Sequence, residues 1–325
     1  MITRKAKTRT EFDAHLAELH IRGQWRVDEL LNTERADGPR PMGIPYIWKW
    51  ATVRAALSEA AEVLTESLTQ RRSLIFINPE LSAGTTHTFG VGIQLVTPGE
   101  LAWAHRHTMA AIRFGIEGDR RLSTVVDGER LPMEPNDLIL TPSLTWHDHH
   151  NDSDREGIWL DAIDAPLMGV LGQRWYEPYG ESLQPVSERQ GVHPYRYAWR
   201  ETTEKLSQYT VAEESPYDGA RLEYVNPTSG GPTMSTLGCF IQSLRPGLET
   251  KEHRHTSSVV YFVVKGEGVT RVGDQELHWS ERDAFVIPNW MRHRHVNTSS
   301  DNALLFSVTD EPLLRSIGLY REDPE

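Results

Sequence analysis

The chain has 325 residues, of which 38% are hydrophobic and 25% charged, and its formal net charge is −12. A chain of this length usually divides into two domains, and the composition is ordinary for a soluble globular protein. The acidic charge argues against a nucleic-acid partner, because phosphate binding requires a basic face. The single cysteine, Cys239, excludes an intrachain disulfide and favours a reducing, cytoplasmic setting.

The first part of the chain is predicted to be helical. Apolar residues recur at helical spacing over residues 10–32 and again over residues 52–70. Between them, residues 36–50 are rich in proline, glycine and aromatic residues, which predicts an extended arm packed on another part of the protein. No apolar run approaches the roughly 20 residues of a membrane helix, and no signal peptide is apparent, so we expect no membrane partner.

Short apolar runs separated by Gly, Pro and Asp turns begin after Arg72, and this texture is typical of all-β barrels or sandwiches. A polar segment rich in Pro, Tyr and Arg interrupts this pattern of short apolar runs. We therefore expect a helical region and arm over residues 1–70, a first barrel over 71–180, a linker over 181–215 and a second barrel over 216–325.

The second β region repeats the first. Residues 98–108 (PGELAWAHRHT) match residues 246–256 (PGLETKEHRHT), and residues 136–151 (NDLILTPSLTWHDHHN) match residues 282–297 (RDAFVIPNWMRHRHVN). The offset falls from 148 to 146 residues between the two motifs, which a shorter loop explains. Internal repetition of this kind predicts two copies of one structural unit.

The histidines of these motifs are candidate metal ligands. His105 and His107 share one face of a strand with Arg113, because strand side chains alternate with a period of two, and His147 and His149 share a face in the same way. A single buried histidine is usually structural, and a lone His-x-His pair is weak. The repetition of the whole pattern instead favours three imidazoles, His105, His107 and His147, around Fe, Zn, Cu or Ni.

The spacing resembles the two cupin motifs. The first copy matches at Gly99, His105, His107, Gly118, Pro142, His147 and Asn151, and the second at Gly247, His253, His255, Gly266, Pro288, His293 and Asn297. The resemblance implies a bicupin, two double-stranded β-helix (jelly-roll) barrels behind a helical N-terminal extension. The glutamate that cupins use as a fourth ligand is replaced by Ala111 in the first copy and Val259 in the second.

Three neutral imidazoles leave a divalent metal with its full charge, which favours a chelating anionic substrate. Arg113 on the same face would be costly without an anion, and its guanidinium matches a carboxylate. A substrate carboxylate is the favoured partner, and a structural ion pair with an internal Asp or Glu is the alternative. In the second copy Tyr261 replaces Arg113, so we expect catalysis in the first barrel. His253, His255 and His293 can still hold a second metal.

The string HRHT-x-x-A-x-RF around His105 resembles the gentisate 1,2-dioxygenases and the related salicylate and 1-hydroxy-2-naphthoate dioxygenases. The resemblance implies one Fe(II) in the first barrel, an aromatic acid substrate, O2, and ring cleavage between the carboxyl-bearing and hydroxyl-bearing carbons. It implies that His149 contacts substrate or oxygen, beside Arg113, and that Gln94 and Asp161 line the site. Arg71 or Arg72 would supply a second cation. The bulky aromatic that the family often has four residues before Gln94 is here Gly90.

Several alternatives stay open on the sequence. The substrate is gentisate or another salicylate, with 1-hydroxy-2-naphthoate and 5-nitro- or 5-aminosalicylate as alternatives. A metallo-cupin that acts on a diketone or a thiol is a second possibility, and Arg113 in the barrel interior disfavours the diketone. A non-catalytic, ligand-binding bicupin is disfavoured by six intact histidine ligands. We also expect a homo-oligomer, a dimer or a tetramer.

Overall fold

The computed structural model describes residues 6–31, 38–64, 72–187, 191 and 193–324. The chain divides into two compact units, Met1–Arg40 and Pro41–Glu325. In the first unit the predicted single helix is two helices, α1 (Arg9–Glu18) and α2 (Gln24–Leu31). The helix breaks because His20 adopts a φ of 55°, which a helix interior does not accommodate. No helix among the described residues is long and apolar enough to cross a membrane.

The second unit begins with the arm that the sequence predicts. Its strand β1 (Tyr46–Trp48) pairs with a strand of the second barrel, with Trp48 opposite Ala284. Trp48 also stacks on Phe76 with ring centroids 4.9 Å apart. Helix α3 (Trp50–Val63) follows, and the predicted continuation of this helix over residues 65–70 lies outside the described residues.

Nine antiparallel strands and three later elements form the first barrel. The strands are β2 (Arg72–Ile75), β3 (Gly90–Val96), β4 (Leu101–His107), β5 (Ala111–Glu117), β6 (Leu122–Val126), β7 (Glu129–Pro132), β8 (Leu138–Thr141), β9 (His147–Asn151) and β10 (Gly157–Ile163). After helix α4 (Ala165–Val170) come β11 (Tyr176–Pro178) and β12 (Arg196–Tyr197). They make a six-stranded sheet, β12-β8-β5-β10-β3-β2, and a five-stranded sheet, β11-β4-β9-β6-β7.

The segment predicted as a linker contains regular structure. Strand β12 pairs with β8 at the edge of the first barrel, and helix α5 (Trp199–Leu206) follows it. The helix gives a weak sequence signal because its eight residues have apolar side chains only at the two ends, Trp199 and Leu206. The boundaries between barrels and linker remain a prediction.

The second barrel has the same strand order as the first. Its elements are β13 (Ala220–Glu223), β14 (Gly238–Leu244), β15 (His253–His255), β16 (Val259–Lys265), β17 (Gly268–Val272), β18 (Gln275–Trp279), β19 (Ala284–Ile287), β20 (His293–Asn297), β21 (Ala303–Thr309), α6 (Glu311–Ser316) and β22 (Glu322–Pro324). The sheets are β1-β19-β16-β21-β14-β13 and β18-β17-β20-β15-β22. The change of offset falls in the turn after β5, as the sequence repeat predicts.

The two six-stranded sheets share one hydrophobic core. Their outward residues, such as Ile112 and Phe114 on β5 and Phe306 on β21, belong to a single buried cluster. The rings of Phe114 and Phe306 stack with centroids 4.1 Å apart. The alternate residues of each strand, including Arg113, point the other way into the barrel interior.

Two buried carboxylates tie the barrels together symmetrically. Thr88 of the first barrel donates to Asp310 of the second at 2.6 Å, and Thr236 of the second donates to Asp164 of the first at 2.7 Å. Each aspartate also accepts a backbone N–H of its own barrel, next to the histidine motif: Ala110 bonds to Asp164 and Ser258 to Asp310. The two histidine motifs are thus anchored across the interface.

Candidate metal centre and substrate site

Three predicted ligands of the first barrel meet in its interior. His105 and His107 project from β4, and His147 lies opposite His105 on the neighbouring strand β9. Their candidate ligand atoms lie within 4.8 Å of one another. The side chains are buried, with 1%, 6% and 1% of their surface exposed. Strand alternation therefore brings the three imidazoles together as the sequence predicts.

The outer ring nitrogens fix the tautomer of all three histidines. Each Nδ1 lies within hydrogen-bond distance of a backbone carbonyl, which only accepts, so each Nδ1 carries a proton and each Nε2 of the neutral ring presents a lone pair. The bonds join His105 to Trp103 (2.7 Å), His107 to Met109 (2.8 Å) and His147 to Thr145 (3.0 Å). Three converging lone pairs in a buried interior fit a transition metal.

The charge state of His147 fits the same role. Burial lowers the pKa of His147 well below its usual 6.5, and the nearby charge of Arg113 lowers it further. Among the described residues, its Nε2 atom has no hydrogen-bond partner. A neutral, buried imidazole with an unused lone pair is suited to bind a cation.

Arg113 lies on the wall of the six-stranded sheet, on the interior face of β5. It is 1% exposed, its Nε is 3.8 Å from a carboxylate oxygen of Asp161, and its Nη1 donates to Thr141. Gln94 on β3 donates to the other oxygen of Asp161. The three predicted residues Arg113, Asp161 and Gln94 therefore form one buried network, and the ion pair left open by the sequence is present.

His149 lies beside the triad on the same strand as His147. It is fully buried, its Nδ1 is 2.9 Å from Thr124 Oγ1, and its ring centroid is 6.2 Å from that of His147. The ring of Trp159 packs against it with centroids 5.1 Å apart. The His149 ring therefore lies in the interior, near His147 and held by Thr124 and Trp159.

The structure does not bring Arg72 to this site. It pairs with Leu95 on β3, so its side chain is on the outward face, opposite to Gln94. Its guanidinium is bound to Glu100 and, at 2.9 Å, to the carbonyl of Leu64. Its neighbour Arg71 lies outside the described residues.

Open space adjoins Gly90 on the interior face of β3. A Cβ added to Gly90 would meet no atom within 4 Å, whereas one added to Gly92 would lie 2.4 Å from the carbonyl oxygen of Leu74. The wall of the barrel therefore leaves room for a larger ligand at Gly90 and none at Gly92.

Some contacts of the site were missed from the sequence. Trp159 shares its strand face with Asp161, and alternation along β10 could have found it. Thr141 pairs across the sheet with Ala111, and this contact needs the strand pairing. Tyr176, which stacks on His105 at 5.1 Å, comes from the distant strand β11, and no local pattern indicates it.

The second barrel brings together its own triad. His253, His255 and His293 are also within 4.8 Å of one another at their ligand atoms. Tyr261 and Ser307 pair in the register of Arg113 and Asp161. The ligands are repeated, and the residues facing them are not.

Comparison with known proteins places the chain in a family. The cupin domain family matches twice, at residues 92–163 and 240–309. The chain is 43% identical to 1-hydroxy-2-naphthoate 1,2-dioxygenase of Nocardioides sp., over 99% of this chain and 89% of that protein. It is 40% identical to 5-aminosalicylate 1,2-dioxygenase of Comamonas sp. (96% and 90%) and 33% to gentisate 1,2-dioxygenase 1 of Aquipseudomonas alcaligenes (97% and 96%). The chain belongs to the gentisate and salicylate 1,2-dioxygenase family.

Solved structures agree with this family and with its bicupin fold. Salicylate 1,2-dioxygenase of Pseudoaminobacter salicylatoxidans, in a crystal structure of its adducts with gentisate, is 26% identical with a TM-score of 0.87. The match covers 100% of this chain and 96% of that one. The predicted family and the two predicted barrels are confirmed.

Proposed function

We propose that this protein is an Fe(II)-dependent dioxygenase that opens the ring of gentisate or a related ortho-hydroxybenzoate with O2. The proposed cleavage lies between the carboxyl-bearing and hydroxyl-bearing carbons. The observation that carries the proposal is the buried guanidinium of Arg113 in the same interior as three clustered, buried imidazoles. A cation and a tri-histidine metal site together suit a carboxylate next to a chelating hydroxyl.

His105, His107 and His147 would hold the iron, which would supply the redox chemistry with O2. Arg113 binds the substrate carboxylate and orients the ring. Asp161 and Gln94 hold the guanidinium in place through the network described above. His149 can accept or donate a proton at Nε2, because Thr124 engages its Nδ1.

Gly90 favours a second candidate substrate, 1-hydroxy-2-naphthoate. The open space beside Gly90 could take the second ring that this acid carries and gentisate does not. The relative of this chain from Nocardioides sp. is named for that acid. The space beside Gly90 then determines which aromatic acid has the highest kcat/KM, according to the size of its ring system.

The test is a substrate panel on the iron-loaded protein. The protein is loaded anaerobically with Fe(II), mixed with gentisate, salicylate, 5-aminosalicylate or 1-hydroxy-2-naphthoate in air, and followed by ultraviolet absorbance and oxygen uptake. Product from any of them supports the proposal, and no product from the whole panel refutes it. In a Gly90→Trp variant, we expect kcat/KM for the naphthoate to fall at least about tenfold more than that for gentisate.

The cytoplasmic location and the homo-oligomeric state, dimer or tetramer, belong to the same proposal. The buried Cys239 has no second cysteine to pair with in the chain, which supports a reducing compartment. Analytical ultracentrifugation of the purified protein tests the oligomeric state directly.

A further inference from the structure

The second triad differs from the first in the partner of one ring. His253 Nδ1 is 3.3 Å from a carboxylate oxygen of Glu322 on strand β22, where all three rings of the first triad face backbone carbonyls. The other two rings of the second triad keep carbonyl partners, Ser257 at 2.9 Å and Met291 at 3.0 Å. A carboxylate on the outer nitrogen orients an imidazole and makes it a stronger metal ligand.

The inner nitrogens of this triad are at a metal-binding separation. His253 Nε2 and His293 Nε2 are 3.0 Å apart. Two nitrogens about 2.1 Å from one ion and about 90° apart around it lie at about this distance. Since His293 Nδ1 faces a carbonyl, its Nε2 presents a lone pair to His253 Nε2. Either a proton on His253 Nε2 or a metal ion between the two nitrogens satisfies this contact.

The cavity beside the triad is acidic. It has a volume of about 370 Å³, and the charged groups in its lining, apart from the histidines, are one guanidinium, Arg221, and four carboxyl groups, Asp218, Glu223, Glu311 and Glu322. Arg221 lies 3.6 Å from the ring centroid of Phe240 and 3.5 Å from Glu311, so its charge is already engaged. This field favours a divalent cation and opposes a carboxylate ligand.

A further buried group points into the same interior. His295 is fully buried, and its ring centroid lies 5.7 Å from that of His293 and 5.0 Å from that of Tyr261. Its Nδ1 is 2.8 Å from Thr270 Oγ1, and its Nε2 has no hydrogen-bond partner among the described residues. A water bound to a cation at the triad would satisfy this nitrogen.

We propose that the second barrel holds a divalent cation on His253, His255 and His293, that Glu322 is a positioning residue for it through His253, and that the acidic cavity excludes aromatic acids. This inference rests on the proposed function only in assigning ring cleavage to the first barrel. The second centre is then a metal site without an aromatic substrate.

Cobalt(II) alone, added to the metal-free full-length protein, tests the site through metal content and visible absorption. We expect two Co(II) per chain in the wild type and one in either His147→Ala or His293→Ala. In the His147→Ala background, Glu322→Gln should weaken Co(II) binding 10–100-fold in a chelator competition. Circular dichroism shows whether each variant is folded, and His255→Ala replaces His293→Ala if the latter is not.

Asp323→Asn is the matched control, because Asp323 neighbours Glu322 on β22 and pairs with Arg254 at 2.7 Å without touching His253. Equal weakening by both substitutions would assign Glu322 to strand anchoring alone and overturn its positioning role. Absence of Co(II) from folded His147→Ala protein would overturn the site itself.

Gentisate should change the Co(II) spectrum of His293→Ala protein and leave that of His147→Ala protein unchanged. A gentisate-dependent spectrum in His147→Ala would overturn the exclusion of aromatic acids. An inactive iron-loaded wild type, with Co(II) counts as expected, would refute the proposed function and leave the second site standing.

Discussion

The two barrels hold the same three histidines on equivalent strands, but face them with different residues. In the first, Arg113 and Asp161 stand across the interior from the triad; in the second, Tyr261 and Ser307 occupy these register positions. The second barrel adds Glu322 and an acidic cavity. The repeated fold thus preserves the three histidines, while the residues around them differ and select what each barrel can bind.

Removal of one histidine ligand from each barrel tests whether only the first barrel carries out ring cleavage. His147→Ala should lower kcat for ring cleavage by at least about 1,000-fold, because the proposed iron loses one of three protein ligands. His293→Ala should leave kcat within about twofold. Steady-state oxygen uptake with iron-loaded variants measures both, and equal losses would show that the barrels share the chemistry.

Replacement of Arg113, the cation that the second barrel lacks, tests its proposed contact with the substrate carboxylate. Arg113→Leu should raise KM strongly and lower kcat/KM about 100-fold, since loss of one partner from a buried charge pair costs about 2–5 kcal/mol. Iron content, measured by elemental analysis, should stay unchanged because Arg113 is not a ligand. Tyr261→Phe is the control and should leave the kinetics unaltered. Iron loss in Arg113→Leu would contradict the placement of Arg113 at the substrate.

The two interface carboxylates, Asp164 and Asp310, make the stability of the protein depend on pH. Burial raises the pKa of Asp310 to about 6 and raises that of Asp164. A raised folded-state pKa gives stability that is fully present below the unfolded pKa, near 4, and is lost as pH rises through about 6. Two pKa units correspond to about 3 kcal/mol.

The difference in unfolding free energy between wild type and Asp310→Asn should therefore shift by about 2 kcal/mol in favour of the variant between pH 4 and pH 7. Urea unfolding at several pH values measures it, and comparison of the two proteins cancels the other titrating groups. Asp164→Asn should move in the same direction. A pH-independent difference for Asp310→Asn would contradict the raised pKa.

A smaller change in kcat is expected from the threonines that contact His149 and His295, which are Thr124 and Thr270. Thr124→Val removes the partner of His149 Nδ1 and should lower kcat about 3- to 10-fold, in line with about 1 kcal/mol for one hydrogen bond. Thr270→Val removes the matching partner of His295 and should leave ring cleavage unaffected. A pH–rate profile of Thr124→Val should also shift if His149 moves a proton. Identical kinetics for Thr124→Val and wild type would remove His149 from the proposed chemistry.

The features predicted correctly from the sequence are those that follow from strand periodicity or from the internal repeat. Both triads, the interior position of Arg113 and the shorter turn after β5 all follow from the strand period and the two offsets. Arg72 shows the limit of this reasoning, because a shift of one residue in register exchanges the two faces of a strand. The sequence could not choose between residues 71 and 72, and the structure puts Arg72 on the outward face.

The sequence did not predict which strands and side chains pair over long distances along the chain. Strand β1 precedes the first barrel in the chain and completes a sheet of the second, whereas β12 closes the first barrel after a long excursion. Glu322 reaches His253 from 69 residues away. Such contacts depend on which sheet edges remain unpaired in the folded protein, and the spacing of residues along the chain does not predict them.

The stacked rings of Phe114 and Phe306 make the two barrels depend on each other for stability. Because the outward faces of the two six-stranded sheets cover each other, loss of either copy would turn a buried apolar wall into an exposed one. The copies should melt in one cooperative transition and tolerate deletion of neither. The shared core therefore retains the second barrel for stability, independently of what its interior binds.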